Sequence, residues 1–471
     1  MGYELLRHQI EGVAFLSKEP GGLLAFEQGL GKTLVAIEAF CALLQQDRAE
    51  QLVVVCPNSL KRNWKAEIEK FAPNLSVAIA EGPPKQRRAV LNRPNARVIV
   101  TSYETARAEV TAVLALLQRR RSVLVFDESH ATKNSRSLTS IAAQQFAPFV
   151  KYRWLLSGTP VTNTATDLHT QIGIIQPARN PLGTVDSFTA RLETNANDAG
   201  IKRTIDEFVL RRTKEQCLDL PEKTFLDVRI ELPPWQRKLY DDMREQMVCE
   251  IEAMTGEQYR AYASTALSQL TRLIQIASNP ALLLADIESD PAKFEALDGI
   301  VRDILAVPGR KVIVWSNYIR TIESLLLRFQ PHGVAAIYGG TPNDQRQTIA
   351  KDFQDGERIR VLIANPAAAG TGFTLTAASF TIYESLSWRY DHYAQSQDRN
   401  HRIGQTVPVT YLRLIAADTI EEAIVTALER KATLAGSLLG DEIMDDFVSH
   451  FSKEEMCALL RSNKLPTKQA V

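Results

Sequence analysis

Short apolar runs rich in β-branched residues alternate with longer segments of helical period, and the whole pattern occurs twice along the chain. Such alternation is typical of parallel α/β layers, because strands covered by helices on both faces are apolar throughout. Two consecutive sets of strands predict two similar α/β lobes. The runs are Leu23–Phe26, Leu52–Val55, Arg97–Thr101, Val123–Phe126 and Arg153–Ser157, then Lys311–Trp315, Val334–Tyr338, Arg360–Ala364, Phe380–Glu384 and Val407–Leu414.

The region between the two sets, residues 161–300, is poor in strand runs. Its helical periodicity predicts helices at Tyr240–Met254 and Arg260–Ile276. We therefore expect helical insertions and a connection between the lobes. The predicted division is a first lobe with an insertion at 1–220, a connection with a helical insertion at 221–300, a second lobe at 301–435 and a C-terminal tail at 436–471.

Composition excludes several classes of protein. With 45% hydrophobic and 23% charged residues, the chain is an ordinary globular protein rather than a disordered one. Its 55 basic and 55 acidic side chains cancel, so any nucleic-acid contact has to come from a local basic stripe. The five cysteines form no C-x-x-C pair, which argues against a structural zinc and a disulfide scaffold. We find no signal peptide and no apolar run of membrane-spanning length, and we expect a reducing, aqueous compartment.

A phosphate-binding loop is predicted where FEQGLGKT at 26–33 follows a strand and opens a helix. Gly29 and Gly31 would let backbone N–H groups wrap phosphates at the helix N-terminus. Lys32 would neutralise the β- and γ-phosphates of ATP, and the Thr33 hydroxyl would bind magnesium. The strict pattern has glycine where this chain has Phe26, so a chance match remains the alternative for the loop taken alone.

A pair of carboxylates after another apolar run strengthens the prediction of a nucleotide site. The apolar strand at 123–126 ends in Asp127-Glu128. A carboxylate at the tip of a buried strand is costly unless it meets a cation, so Asp127 is predicted to hold the magnesium. Glu128 is predicted to orient and deprotonate the attacking water. The alternative is an aspartate that merely caps the next helix.

Two arginines in the second lobe complete the predicted chemistry. Arg399 and Arg402 are three residues apart, which places them on one face of a helix. Arginines pointed at the γ-phosphate stabilise charge in the transition state, and they would act only when the lobes close on each other. A surface ion-pair face is the alternative for the pair taken alone.

The ordered set of motifs resembles the Swi/Snf-type ATPases, a branch of helicase superfamily two. EQGLGKT at 27–33 resembles the family's DEMGLGKT, and the family tolerates a residue other than glycine at the position of Phe26. Similar matches run through nearly the whole chain, although the stretch at 364–379 departs at several positions. They are VVCPNSLKRNWKAEIEKF at 54–71, VIVTSYE at 98–104, DESH at 127–130, SGTPVTN at 157–163, LRRTKEQCLDLPEKT at 210–224, IYGGTPNDQRQTIAKDFQDG at 337–356, ANPAAAGTGFTLTAAS at 364–379 and DRNHRIGQ at 398–405.

The resemblance implies two tandem RecA-like lobes and ATP-dependent translocation along one strand of duplex DNA. It implies nucleotide contacts from Gln9, which reads the adenine, and from Gly372 and Gln395. It also implies contacts to the DNA backbone, for which core or loop packing is the alternative at each position. The implied DNA-contacting residues are Asn63, Trp64, Ser102, Tyr103 and Thr371.

The motifs begin within ten residues of Met1, and about forty residues follow Ile420–Lys431, a segment that resembles the family's closing helix. We therefore expect a compact, monomeric engine that acts on DNA in the cytoplasm of a bacterium or for a phage, with targeting supplied by protein partners. Two other functions fit the same motifs. One is a strand-separating DNA helicase in repair or recombination, and the other is a nucleotide-gated clamp on DNA or protein with little turnover.

Overall fold

The chain divides between Asp219 and Leu220 into two units. The computed structural model describes residues 3–92, 96–158, 165–194, 199–284, 287, 289–369, 373–434 and 451–465. Each unit contains one parallel β-sheet with helices around it. The predicted fold class, two tandem α/β lobes, is confirmed.

The sheet of the first unit is parallel at every strand pair, in the order β3-β4-β2-β5-β6-β1-β7. Its inner strands are buried along their whole length, as the apolar runs predict, except for the half-buried Arg153. The strands are β1 (Gly21–Phe26), β2 (Gln51–Cys56), β3 (Val77–Ala80), β4 (Val98–Ser102), β5 (Ser122–Asp127), β6 (Tyr152–Leu156) and β7 (Val209–Arg212).

Helices connect these strands, and side chains from alternate strand positions feed two hydrophobic clusters. One cluster includes Leu23, Val53 and Leu124, and the other includes Leu24 and Val54, as the two-residue period of a strand requires. The helices are α1 (Arg7–Leu16), α2 (Lys32–Gln45), α3 (Lys61–Phe71), α4 (Pro84–Leu91), α5 (Tyr103–Ala108), α6 (Val110–Arg119), α7 (Leu138–Phe146), α8 (Ala165–Ile175), α9 (Val185–Thr194), α10 (Ala199–Phe208) and α11 (Lys214–Cys217).

The second unit repeats the arrangement with the strand order β10-β11-β9-β12-β13-β8, again parallel throughout. The long helices predicted between residues 221 and 300 are present and pack on this unit's core. The strands are β8 (Lys223–Ile230), β9 (Val312–Trp315), β10 (Val334–Ile337), β11 (Val361–Ala364), β12 (Phe380–Tyr383) and β13 (Val409–Ala416). The helices are α12 (Pro234–Ala253), α13 (Gly256–Ser278), α14 (Ala292–Leu305), α15 (Ile319–Arg328), α16 (Asn343–Asp355), α17 (Pro366–Ala369), α18 (Tyr390–Gln397), α19 (Ile420–Leu434) and α20 (Lys453–Ser462).

Every predicted apolar run overlaps a strand, but β3, β7 and β8 are additional. These three lie at sheet edges, where one side of the strand has no neighbour and a continuous apolar run is not required. β7 and β8 both lie within residues 161–300, the region that is poor in apolar runs. Across the described part of the chain, no helix has both the length and the apolar character needed to cross a membrane.

Candidate nucleotide site

Three loops of the first unit leave one edge of its sheet side by side. Strands β5, β6 and β1 are neighbours in parallel orientation, so the segments that follow their carboxyl ends are adjacent. These segments carry Asp127 and Glu128 after β5, Gly158 after β6, and the predicted phosphate loop after β1. The carboxyl edge of a parallel sheet is where α/β proteins commonly bind ligands.

The phosphate loop has the backbone conformation that its glycines predict. Gly29 and Gly31 have φ angles of 88° and 83°, a region that favours glycine. Gly31 is the N-cap residue of α2, so Lys32 and Thr33 form the first turn of that helix. The N–H groups of this turn and the positive end of the helix dipole can bind an anion.

Phe26 shows why a bulky residue is tolerated where the strict motif has glycine. Its side chain is fully buried and lies edge-on to the ring of His8, with ring centroids 5.6 Å apart. Only its backbone faces the loop, where its carbonyl accepts a hydrogen bond from Lys32 Nζ at 2.9 Å. A Cβ on Gly158 would lie 3.5 Å from the same Nζ. The ammonium group therefore lies between the loops after β1 and β6.

Gln9, on α1, packs directly against the phosphate loop. Its Nε2 donates to the Leu30 carbonyl at 3.3 Å, and its Oε1 accepts from the Leu6 backbone N–H at 2.9 Å. A Cβ on Gly31 would lie 2.5 Å from Gln9 Nε2, so a side chain there would displace the Gln9 amide from the loop. The ring of His8 lies 3.1 Å from the same Leu30 carbonyl. Sequence reasoning missed His8, although it is adjacent to Gln9 in the chain.

Asp127 is buried at the end of β5, and each of its carboxylate oxygens accepts a hydrogen bond. Oδ1 accepts from the Glu128 backbone N–H at 2.9 Å, and Oδ2 accepts from the indole N–H of Trp64 at 2.8 Å. Its backbone carbonyl accepts from the Tyr103 hydroxyl at 2.8 Å. The carboxylate is therefore held in one orientation with lone pairs left for a further ligand.

Burial and the neighbouring Glu128 carboxylate raise the pKa of Asp127 to about 6. The Trp64 hydrogen bond and the Lys32 ammonium act in the opposite direction and favour the ionised form. A bound dication adds to these two effects.

Glu128 has an unusual backbone and an unpaired side-chain atom. Its φ of 50° lies in the left-handed region, which costs a residue with a Cβ about 1 kcal/mol or more and is common at functional sites. Its Oε2 is buried, accepts no hydrogen bond, and lies 3.4 Å from His130 Nδ1. A buried carboxylate oxygen with unused lone pairs is suited to accept a hydrogen bond from a water or a substrate.

The donor set fits magnesium. Thr33 and Asp127 offer hydroxyl and carboxylate oxygens, and Mg²⁺ commonly uses one or two protein oxygens together with water and the substrate's phosphates. Within the described residues, no group of three or more His, Cys, Asp or Glu side chains could hold a metal alone. A metal at this site would therefore be bound mainly through its nucleotide.

In the second unit, Arg399 and Arg402 converge on a single backbone oxygen. An NH1 group of each donates to the Phe373 carbonyl, at 3.4 Å and 3.2 Å respectively. The prediction that they share a helical face is wrong, because α18 ends at Gln397 and both arginines lie in the turn after it. The Tyr411 hydroxyl lies 3.0 Å from both the Gln397 carbonyl and Asn400 Oδ1, and its single proton is donated to one of these acceptors or shared between them, which anchors the turn to β13.

Gln395 is the other predicted nucleotide contact of this unit that lies within the described residues. Gln395 is buried on α18, and its backbone carbonyl accepts from Arg399 Nε at 3.0 Å. Gly372 and Thr371 lie outside the described residues, as does most of the SGTPVTN motif at 157–163.

Three of the expected DNA-contacting side chains are directed into the first unit. Trp64 is fully buried, Tyr103 is 7% exposed, and Ser102 caps α5 by accepting a hydrogen bond from the Thr105 N–H at 3.2 Å. The burial of these three side chains fits the core-packing alternative, and their contact with DNA stays a prediction. Asn63 is half-buried, and it remains a predicted DNA contact.

Known proteins similar to the chain include an uncharacterized ATP-dependent helicase of Mycoplasma pneumoniae, 29% identical over 97% of the chain and 44% of its own length. Another is the chromodomain-helicase-DNA-binding protein 1-like of Danio rerio, 28% identical over 96% of the chain and 46% of its own length. The chain thus spans slightly less than half of each relative. The solved Sulfolobus solfataricus SWI2/SNF2 ATPase core in complex with dsDNA is 27% identical, covers 96% of both chains and has a TM-score of 0.43.

Two family models match in sequence order. The SNF2-related domain matches residues 8–282, which is more than half of the chain, and the helicase conserved C-terminal domain matches residues 292–404. The first match includes the phosphate loop, Asp127 and Glu128, and the second includes Arg399 and Arg402. The chain therefore belongs to the SNF2-related family, within the helicase-like ATPases of superfamily two.

Proposed function

We propose that the chain is an ATP-dependent translocase on double-stranded DNA, which remodels DNA or protein–DNA complexes by hydrolysing magnesium-ATP. The observation that carries this proposal is the pair of carboxylates after β5. Asp127 is held by two donors, whereas the adjacent Glu128 keeps a buried, unpaired oxygen. One fixed carboxylate and one available carboxylate beside a phosphate loop are what hydrolysis of a bound nucleotide requires.

Each residue of the first unit has a defined task in this proposal. The backbone N–H groups after Gly29 and Gly31 bind the phosphates, and Gln9 contacts the adenine. Lys32 leaves the Phe26 carbonyl for the β- and γ-phosphates, a short movement for a flexible side chain. Thr33 and Asp127 bind the magnesium ion, which neutralises phosphate charge. Glu128 orients the attacking water and accepts its proton.

Arg399 and Arg402 are proposed to stabilise the charge that develops on the γ-phosphate, with further nucleotide contacts from Gly372 and Gln395. In the structure both arginines donate to the carbonyl of Phe373, a neutral acceptor. A phosphate oxygen is a stronger acceptor for a guanidinium group than a backbone carbonyl is. Exchange of one acceptor for the other would tie hydrolysis to a conformational change, as a motor requires.

Double-stranded DNA is the proposed track. The resemblance to Swi/Snf-type ATPases supports it, and so does the DNA-binding activity printed in the name of the Danio rerio relative. On the first unit, Arg62 and Lys65 of α3 are exposed beside Asn63 and offer cationic groups for phosphates. Asn63 and Thr371 remain proposed contacts to the DNA backbone.

The decisive experiment measures ATP hydrolysis by the purified chain with duplex DNA, single-stranded DNA and RNA at a stated salt concentration, because phosphate contacts weaken steeply with salt. We expect duplex DNA to stimulate hydrolysis most strongly. Displacement of a third strand from a triplex then reports movement along the duplex. Stimulation by RNA alone would contradict the proposed track, and stimulation by duplex without triplex displacement would contradict translocation.

Strand separation is the second candidate, favoured by the match to the helicase conserved C-terminal domain and by the helicase names of both relatives. A strand-displacement assay on a forked duplex separates the two functions. A translocase displaces the triplex strand and leaves the fork paired, whereas a helicase opens the fork.

The setting of the activity is also proposed. We infer a monomeric chain that acts on bacterial or phage DNA in the cytoplasm, with accessory segments or protein partners that supply targeting. The Mycoplasma pneumoniae relative supports a bacterial setting. Light scattering of the purified chain, with and without duplex DNA, measures whether it acts as a monomer.

A further inference from the structure

Helix α3 presents two chemically different faces. Arg62 and Lys65 lie on its exposed side, and Asn63 is half-buried. Trp64 and Ile68 are fully buried on the opposite side, in the core of the first unit. The helix therefore joins the surface proposed to contact DNA to the interior beneath it.

The interior contact made by this helix is with the proposed metal ligand. Trp64 Nε1 donates to Asp127 Oδ2 at 2.8 Å, across 63 positions of sequence. The second segment expected to contact DNA also reaches Asp127, but at its backbone: the Tyr103 hydroxyl donates to the Asp127 carbonyl at 2.8 Å. Both aromatic side chains meet at one residue of the nucleotide site.

We infer that Trp64 is a positioning residue of the magnesium-nucleotide site: its indole N–H holds the Asp127 carboxylate in the orientation that binds the metal and joins that carboxylate rigidly to helix α3. The inference rests on the proposed function, because Asp127 is a metal ligand only in that proposal. Groups that orient a metal ligand commonly affect metal affinity by about ten- to a hundredfold.

Ordinary core packing is the competing explanation for Trp64, and the first unit contains a natural comparison. Trp154 of β6 belongs to the same hydrophobic cluster and is also fully buried. Its indole N–H has no hydrogen-bond partner. A buried tryptophan in this core is therefore accommodated without such a bond, so the hydrogen bond of Trp64 is a specific feature of its position.

The test compares Trp64→Phe with the matched control Trp154→Phe. Both changes remove an indole from one cluster, but only the first removes a donor to Asp127. Calorimetry measures the dissociation constant of a non-hydrolysable ATP analogue with magnesium and again with a chelator. We expect Trp64→Phe to weaken binding about tenfold in magnesium and to leave it unchanged in chelator, while Trp154→Phe changes neither value by more than about twofold. Duplex DNA affinity without nucleotide should stay at the wild-type value in the control, Trp154→Phe.

A second variant keeps the experiment decisive if phenylalanine at position 64 disturbs folding. Site-specific incorporation of β-(3-benzothienyl)alanine at position 64 replaces the N–H by sulfur and preserves the two-ring shape. This protein should show the same magnesium-dependent loss. Equal magnesium-nucleotide affinities for the sulfur analogue and the wild type would overturn the inference. Failure of the wild type itself to bind magnesium-nucleotide would instead overturn the proposed function, so the two failures are distinguishable.

Discussion

At the scale of single residues, the division of work between Asp127 and Glu128 follows from what each side chain contacts. Asp127 accepts hydrogen bonds at both oxygens, whereas Glu128 keeps Oε2 unpaired in a buried position. Glu128 also has a left-handed backbone, with a φ of 50°, directly after the end of β5. A general base needs such an uncommitted atom within reach of water.

Replacement of Glu128 by glutamine should therefore stop turnover without loss of nucleotide binding. An amide has the size of the carboxyl group but does not accept the proton, and removal of a general base lowers a rate about 10²- to 10⁴-fold. Steady-state ATPase rates and nucleotide titrations measure the two properties. Glu104→Gln, an exposed carboxylate beside Tyr103, is the control and should behave as wild type. Wild-type turnover in Glu128→Gln would remove the assignment.

How far sequence predicts such residues depends on how local their chemistry is. Gly29, Gly31 and Lys32 act through the loop in which they stand, so their spacing predicts their placement. Trp64 acts through a partner 63 residues away. The spacing of Trp64 and Ile68, four residues apart on one helical face, is a local signal for burial, but it does not reveal the bond to Asp127. The Trp64 neighbours Arg62 and Lys65 are exposed, and they made an outward position plausible for the whole segment.

At the scale of elements, the start of helix α2 is the most constrained feature of the site. Gly31 has a φ of 83° and lies against Gln9, so a methyl group there is both strained and obstructed. The left-handed conformation costs alanine about 1–2 kcal/mol, and the methyl group would also displace the Gln9 amide, which is a predicted nucleotide contact. We predict that Gly31→Ala weakens nucleotide binding at least tenfold in calorimetry.

Gly256→Ala provides the control for this change. Gly256 begins α13, and a Cβ there meets no atom within 4 Å. Its nucleotide affinity should equal that of the wild type. Unchanged affinity in Gly31→Ala as well would show that this turn does not hold the phosphates.

Helix α3 carries the prediction for DNA. Arg62 is exposed, and Lys65 forms an exposed ion pair with Glu69 at 3.7 Å, which contributes at most about 1 kcal/mol. The double change Arg62→Ala and Lys65→Ala should weaken duplex binding for every DNA sequence. The slope of log affinity against log salt should fall by about 0.9 for each phosphate contact removed.

Fluorescence anisotropy across a salt series measures that slope. Lys202→Ala with Arg203→Ala, two adjacent exposed cations on α10, removes the same charge elsewhere on the first unit. The control should keep the wild-type slope. Equal slopes for all three proteins would exclude α3 as a DNA-contacting surface.

Whether a strand can be predicted from the sequence also depends on how local its signal is. The apolar runs of β1, β2 and β5 are buried on both faces and are predicted correctly from hydropathy alone. β8 is mostly exposed at the edge of its sheet, and its side chains include Lys223, Asp227 and Arg229. β8 pairs with β13 over eight residues, and this pairing is set by the tertiary fold. No local apolar run predicts it.

At the scale of the whole molecule, each unit has its own sheet and its own hydrophobic clusters. Sequence predicts this duplication because the strand pattern restarts, and it predicts the order of the motifs. The sequence does not predict how a bound nucleotide couples the two units. Units with separate cores can unfold in separate thermal transitions, so the effect of nucleotide on each transition measures the coupling.

Arg402→Ala tests the coupling directly. If Arg402 acts on the γ-phosphate, its loss should lower hydrolysis about a thousandfold while ATP still binds to the first unit. A bound ligand stabilises whatever it contacts, by about 2.7 kcal/mol at a hundred times its dissociation constant. In wild-type protein, a non-hydrolysable ATP analogue with magnesium should therefore raise the transitions of both units in calorimetry. In Arg402→Ala the analogue should raise only the transition of the first unit. The control Arg203→Ala removes the same charge at an exposed position of the first unit, and it should keep the shifts of both transitions. If the wild-type nucleotide shift is confined to the first unit, the two arginines do not contact the phosphate in the bound state, and their hydrogen bonds to the Phe373 carbonyl are purely structural.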